Sequence, residues 1–343
     1  MTDSTKKLML QPTPDIEPNN TDPCIIETSI IEASIIELSI IVPAYNEEAV
    51  LPIFHEKILE VLKPLNISYE IVYINDGSRD NTEAIILQLQ KQCPQIAYAK
   101  FSRNFGKEAA MTAGFKLCRG DSAIMIDADL QDSPTLIPAM LEARRNGADI
   151  VNMKRSERYG EPMWKKTTAS MFYHLIGKIS EVSIPHNVGD FRLFSRRAIE
   201  AINQLNERGR FMKGLYAWVG YPQATIEYER DPRAAGDTKW PFFKLVGLAW
   251  QGITAFSTAP LQMATWLGLA SAGSAFAYAS YFLLKSLVTP DTVHGFPTLI
   301  IVILFLGGLQ LFCIGILGEY LARIYTEVKQ RPVYLIETFY PAK

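Results

Sequence analysis

Ser122-Ala123-Ile124-Met125-Ile126 runs directly into Asp127-Ala128-Asp129-Leu130-Gln131-Asp132, and this join of an apolar run to an acidic turn decides how the chain is read. The run has strand length, and its unbroken apolarity suits a strand covered on both faces, as in a parallel sheet. Two carboxylates at i and i+2 on an extended strand end aim at the same crevice, where leaving them unpaired is costly. A hard divalent cation, Mg²⁺ or Mn²⁺, held by one or two carboxylates plus substrate phosphates, matches so sparse a set of oxygen donors. An acidic turn by itself is more often simply solvated. Its position after a buried strand is what gives this one weight.

Upstream, the same grammar repeats. Leu38–Val42 is an apolar run closed by Pro43, and Glu47–Leu62 follows with apolar residues at helical spacing. Tyr69–Asn75 reads as a second strand, Asn81–Gln92 as a capped helix, Ile96–Phe101 as a third strand and Lys107–Leu117 as a helix. After the acidic turn, Pro134–Asn146 is helical and Asp149–Met153 strand-like. Strands and helices in alternation predict an α/β domain, a mostly parallel sheet flanked by helices on both faces. Ligands in such sheets bind beyond the carboxyl ends of the strands. Two further polar turns lie there, Tyr45-Asn46-Glu47 and Asp76-Gly77-Ser78. Tyr45 offers a flat face for a base, and Asp76 an acceptor for a base N–H or a ribose hydroxyl. Singly, Asp76-Gly77-Ser78 is also a common turn and Glu47 an ordinary first-turn residue.

Downstream the composition changes. Leu261–Leu284 has no charged residue over 24 positions, and Phe296–Gly318 none over 23. A spanning helix needs about 20 apolar residues, so both segments predict transmembrane helices. Lys239 and Lys244 precede the pair, and Arg323, Lys329 and Arg331 follow it. The positive-inside bias then puts the preceding domain and both chain ends in the cytoplasm, with the connecting loop outside. Pro241–Ser257 mixes aromatics with Lys244 and reads as a juxtamembrane segment, either lying in the interface or forming the lead-in turn of the first span. Small residues such as Gly268, Ala272 and Gly273 permit a homo-oligomer without fixing a number. The expected organisation is a tail over 1–37, a catalytic domain over 38–240, a juxtamembrane segment over 241–258, two spans within 259–322, and a cytoplasmic tail over 323–343.

Composition narrows the function classes. With 34 basic and 36 acidic residues there is no global field for nucleic acid. Four scattered cysteines and four histidines show no zinc or disulfide spacing. Residues 1–23 carry neither a basic region nor an apolar run, so they predict a disordered tail rather than a secretory signal. A short Ser-Ile-Ile-Glu repeat over 29–41 matches neither helix nor strand period.

The motifs VPAYNEE, VYINDGSRDNT, FSRNFGKEAAMTAGF and DADLQDSP, in this order and spacing, resemble the family-2 glycosyltransferases of the GT-A fold. Within that family the likeness is greatest to polyprenyl-phosphate sugar synthases, the bactoprenol glucosyltransferases and dolichyl-phosphate mannose synthases. It runs from about Leu38 through Lys239, and the bactoprenol group shares the C-terminal pair of spans. The resemblance implies that Pro43, Tyr45, Glu47 and Asp76 hold the base and ribose of a nucleotide-sugar donor. It implies that Asp127 and Ala128 touch the nucleotide and that Asp129 and Gln131, with Asp127, bind the metal. Arg155 would meet phosphate, and Arg233 and Lys239 match an Arg-x5-Lys pair on a loop that closes over the donor. Asp190, in Val188-Gly189-Asp190-Phe191-Arg192-Leu193, sits where the family's candidate base lies, with Gly189 allowing an unusual backbone angle and Arg192 facing phosphate.

The implied reaction is transfer of a hexose, glucose from UDP-glucose being favoured and mannose from GDP-mannose the alternative, to a polyprenyl phosphate such as undecaprenyl phosphate in the inner membrane. Three other readings compete. A processive polysaccharide synthase would carry a Q-x-x-R-W segment and more spans. A sugar-nucleotide hydrolase or nucleotidyltransferase would have no need of the hairpin. A non-catalytic scaffold or flippase partner would leave Asp127, Asp129 and Gln131 without a purpose.

Overall fold

The computed structural model describes residues 36–156, 188–229, 254, 257–288 and 295–343. The N-terminal tail, most of the repeat, the Arg233–Lys239 loop and nearly all of the juxtamembrane segment lie outside the described residues.

Strand β1 (Leu38–Ala44) is buried along almost its whole length. It pairs in parallel with β2 (Tyr69–Asn75) on one side and β4 (Ser122–Met125) on the other. Beyond β2 lie β3 (Ile96–Phe101), also parallel, and then β8 (Ile336–Tyr340), antiparallel. On the far side β6 (Val188–Ser195) runs antiparallel to β4, followed by β5 (Ile150–Arg155) and β7 (Gln223–Tyr228). The eight-stranded order is β7-β5-β6-β4-β1-β2-β3-β8. Every strand foreseen up to Met153 is present, β4 ending at Met125 and β5 running on to Arg155. Strands β6, β7 and β8 were not foreseen.

Helices cover both faces. Leu51, Phe54, Ile58 and Leu62 of α1 (Leu51–Leu62), Ile86 of α2 (Thr82–Gln92), and Ile137 and Met140 of α4 (Ile137–Arg145) fill one core cluster. The opposite cluster takes α3 (Lys107–Leu117), α5 (Arg196–Gln204) and α6 (Met212–Trp218). Helix α3 lies close on the sheet because Gly114 faces Ile41; a Cβ there would sit 2.2 Å from Ile41 Cγ2.

Helix α1 begins four residues later than periodicity predicts. The backbone N–H groups of Glu47 and Glu48 donate instead to Thr82 Oγ1 (2.9 Å) and Asp80 Oδ2 (3.1 Å). Asn46, at φ 56°, turns the chain left-handed just before them. Residues 46–50 are thus stitched to the neighbouring 78–82 loop, and that competing set of bonds displaces the first helical turn.

The C-terminal helices α7 (Ala259–Val288) and α8 (Phe296–Lys329) both outrun the uncharged segments. Helix α8 is, among the described residues, the one helix long and apolar enough to cross a membrane. At 34 residues it extends about 51 Å, well past a hydrocarbon core of about 30 Å. The two helices touch where Cys313 Sγ meets the Ala264 carbonyl at 3.7 Å. The stretch expected as a free cytoplasmic tail belongs partly to α8 and partly to the sheet. Gln330 (φ 51°) turns the chain left-handed at the end of α8, and β8 then lies along β3, with Tyr334 stacked on Phe101 at 5.0 Å. The carbonyl of buried Ala342 accepts from Arg119 Nη2 at 3.2 Å.

Candidate active site

Register builds the site. Antiparallel pairing of β4 and β6 sets Met125 opposite Arg192. Carrying that register two residues further brings Asp127 opposite Asp190, beyond the carboxyl ends of β1, β2 and β4. Lys107, the first residue of α3, spans the gap. Its Nζ donates to Asp127 Oδ2 at 2.7 Å and to Asp190 Oδ2 at 2.5 Å. Lys107 was not singled out from the sequence, although it lies within the third quoted motif; nothing in its spacing connects residue 107 to residue 190.

The charges in this triad are unequal. Burial pushes the Asp127 carboxyl above its ordinary pKa, Asp190 adds to the rise, and Lys107 offsets only part of it. Burial also acts to raise Asp190, but Lys107 and Lys213 together outweigh it and hold this carboxyl below its usual value. On Lys107, burial disfavours the ammonium, yet the two carboxylates prevail and its pKa lies above that of a free lysine. Asp190 is therefore ionised near neutrality and a weak base.

The acidic turn is tightly folded. Leu130 takes φ 58°, rare for a branched side chain, and Gln131 N donates to Asp129 Oδ1 at 3.1 Å. Gln131 is buried, and its Oε1 has no hydrogen-bond partner. Glu47 has its pKa raised by burial first, then by Asp129, Asp127 and Asp80. An orphaned amide oxygen among mutually repelling carboxylates suits a hard cation with oxygen ligands. Among the described residues no three His, Cys, Asp or Glu side chains are grouped as a complete metal cage.

At the carboxyl ends of β1 and β4, Tyr45 is half-exposed, while Pro43 sits inside the ladder opposite Ile74 and Ala128 is buried. Asp76 is buried, and its carboxylate accepts from the backbone N–H groups of Phe105 (2.7 Å) and Gly106 (2.9 Å). These bonds fix the start of α3 and, with it, the position of Lys107.

The other flank is cationic. Arg155 ends β5 with its Nε unpartnered, and Arg192, fully buried, gives Nε to the Gly189 carbonyl at 3.0 Å while Nη2 has no partner. Gly189 does not adopt a left-handed angle, contrary to expectation. It is small because Arg155 crosses it: a Cβ there would lie 2.6 Å from Arg155 Nη2. Lys213, on α6, has its pKa lowered by burial and by Arg192, Lys107 and Arg155, against the pull of Asp190. Asp132, behind the turn, accepts from the Tyr228 hydroxyl. Arg233 and Lys239 lie outside the described residues.

The chain is similar to known proteins along most of its length. Glycosyl transferase family 2 matches residues 39–202, and the GtrB C-terminal hairpin family matches 259–324. The chain is 48% identical over 296 residues to a glycosyltransferase of Synechocystis, covering 86% of this chain and 93% of that one. It is 48% identical over 299 residues to a bactoprenol glucosyl transferase of Shigella phage SfII, covering 87% and 96%. A prophage bactoprenol glucosyl transferase homolog of Escherichia coli is 46% identical over 297 residues, with 87% and 97% covered. With relatives this similar along nearly their whole length, the chain belongs to the family-2 glycosyltransferases and is a glycosyltransferase of the GT-A fold.

Proposed function

We propose that this enzyme transfers glucose from UDP-glucose to a polyprenyl phosphate such as undecaprenyl phosphate, with inversion at the anomeric carbon. The observation that carries the reading is the facing of Asp127 and Asp190 across the β4–β6 register, with acids and the orphaned Gln131 oxygen on one side and Arg192 and Lys213 on the other. The acidic side holds the donor, and Arg192 and Lys213 receive the acceptor's phosphate. The names of the bactoprenol relatives support glucose and a polyprenyl acceptor.

Tyr45, Pro43, Glu47, Asp76 and Ala128 line the nucleotide, and Arg155, Arg233 and Lys239 meet the donor's diphosphate. Asp129, Gln131 and Asp127 would hold Mg²⁺ or Mn²⁺, which would supply Lewis-acid neutralisation of the leaving diphosphate. A phosphate oxygen of the lipid forms the new bond to the anomeric carbon as the bond to UDP breaks, the electron pair leaving with the diphosphate. A phosphate monoester has its second pKa near 6, so the nucleophile is largely dianionic at neutral pH. No strong base is needed, which agrees with an ionised, Lys107-bound Asp190. Asp190 positions the acceptor and keeps Lys107 in place; Arg192 and Lys213 hold the incoming phosphate.

The enzyme is a multi-pass protein of the inner membrane, with α7 and α8 as its spans and the catalytic domain and both chain ends cytoplasmic. Because β8 joins the catalytic sheet directly after α8, the C-terminal end of α8 lies on the same side as that domain. Anchoring raises the effective concentration of a bilayer-bound acceptor.

The test is transfer of radiolabelled sugar into organic-extractable lipid by the full-length protein, with short polyprenyl phosphate, Mn²⁺, and UDP-glucose beside GDP-mannose. Label in the lipid phase from UDP-glucose supports the proposal. Label from GDP-mannose alone overturns the sugar, and nucleotide release without lipid label overturns the acceptor.

A further inference from the structure

A cavity of about 400 Å³ lies apart from the acidic turn, where α3 and the 208–210 segment meet the last turns of α8. Its wall carries four cations, Arg208, Arg210, Lys329 and Arg331, against the single carboxylate of Glu108. Two of the cations are built in. Arg210 Nη1 donates to Thr112 Oγ1 at 3.1 Å, and Arg208 Nε to the Arg331 carbonyl at 3.0 Å. The other two side chains, Lys329 and Arg331, are exposed. Lys329 Nζ rests 4.1 Å from the centre of the Tyr325 ring, which also lines the cavity. Arg208 Nη1 lies 3.7 Å from Glu327 Oε2, which leaves the exposed Lys329 and Arg331 as the cations positioned to meet an outside anion.

The location selects the anion's source. Along α8, Leu321, Ile324, Tyr325 and Val328 are all exposed, so an apolar face recurs at helical spacing up to the residue before Lys329. An aromatic ring and a cation at the end of such a face are the pattern of a membrane–water boundary. We propose that this pocket binds the phosphate of an anionic phospholipid headgroup at the inner face of the membrane, clamping α8 to the catalytic domain. The acyl chains lie along the apolar face of α8 while Arg208, Arg210, Lys329 and Arg331 surround the phosphate. The pocket shares no lining residue with the acceptor phosphate position at Arg192 and Lys213. The inference rests on α8 being membrane-embedded, which resistance of the protein to alkaline carbonate extraction tests separately.

The experiment uses full-length protein in neutral detergent, without donor. Phosphatidylglycerol, phosphatidylcholine, inorganic phosphate and short polyprenyl phosphate are added in turn. Bound lipid is read by native mass spectrometry and stability by thermal melting. Phosphatidylglycerol is expected to remain bound and raise the melting midpoint by several degrees, with phosphatidylcholine inert. Lys329→Gln/Arg331→Gln, which leaves the Arg331 carbonyl in place, should melt like wild type without lipid and bind phosphatidylglycerol at least ten-fold more weakly. Lys329→Gln alone should give an intermediate loss. Equal retention of phosphatidylcholine, protection by inorganic phosphate or polyprenyl phosphate but not phosphatidylglycerol, or undiminished binding by the double variant would each overturn the proposal.

Discussion

The two halves of the sheet edge are built on opposite principles. Around β1, β2 and β4 the loops are satisfied from within, the buried Gln131 Oε1 excepted. Asp76 caps two backbone N–H groups, Asp80 holds Thr82 and the Glu48 N–H, and Asn46 exchanges bonds with Ser78 and Arg79. Around β5 and β6, buried nitrogens of Arg155 and Arg192 have no partner, and Lys213 is held at a lowered pKa among other cations. The first half is prebuilt. The second carries positive charge in a state that an anion would relieve, and sites tuned for ligands commonly hold such uncompensated charge at the expense of stability.

That contrast can be broken by substitution. The largest effect is expected from Asp129→Ala, about 10²–10³-fold lower transfer with folding retained, because one oxygen donor to the cation is lost; turnover beside a melting curve checks it. Arg192→Met should lower transfer about 100-fold, yet melt no lower than wild type, since it removes an incompletely paired buried charge. Asp76→Ala should do the reverse in kind. It leaves the Phe105 and Gly106 N–H groups unpaired and costs about 1–3 kcal/mol of stability by denaturant titration, with activity falling as Lys107 loses its anchor and the nucleotide loses a contact. If Arg192→Met destabilised the protein as much as Asp76→Ala, the distinction between halves would not stand.

Two smaller effects sharpen it. Gly189→Ala presses on the mobile end of Arg155 rather than on backbone. Transfer is expected to fall about ten-fold, on the scale of a misplaced electrostatic contact, with little change in melting. Glu108 supplies a pH signature. Its pKa is pushed up from 4.5 to about 7, chiefly by burial. The folded state therefore binds more protons than the unfolded state between those values, so this group makes stability fall as pH rises through that window. The full shift corresponds to at most about 3 kcal/mol. Glu108→Gln should flatten the stability profile between pH 4.5 and 7.

The prebuilt half is also the half legible in sequence. Its strands are unbroken apolar runs, and their polar turns follow within a few residues, so Asp76, Asp127 and Asp129 declare themselves locally. Asp190 and Arg192 were visible only as a polar island, because β6 begins in residues that do not alternate and its partner β4 is some 65 positions away in sequence. Lys107 and Lys213 carry no local mark at all; each acquires its meaning from helices docked on a face the sequence does not specify. Strand β8 was hidden for the same reason. Five residues after a long apolar helix resemble a tail until β3 offers an open edge.

The most direct test of the division between halves is calorimetric titration of UDP-glucose with Mn²⁺ into wild type, Asp129→Ala and Arg192→Met, each paired with its lipid-transfer rate. The account predicts that Asp129→Ala loses donor affinity, whereas Arg192→Met keeps wild-type donor affinity and fails only at transfer to the lipid phosphate. Equal loss of donor affinity in both variants would contradict it and make the cationic flank part of the donor site.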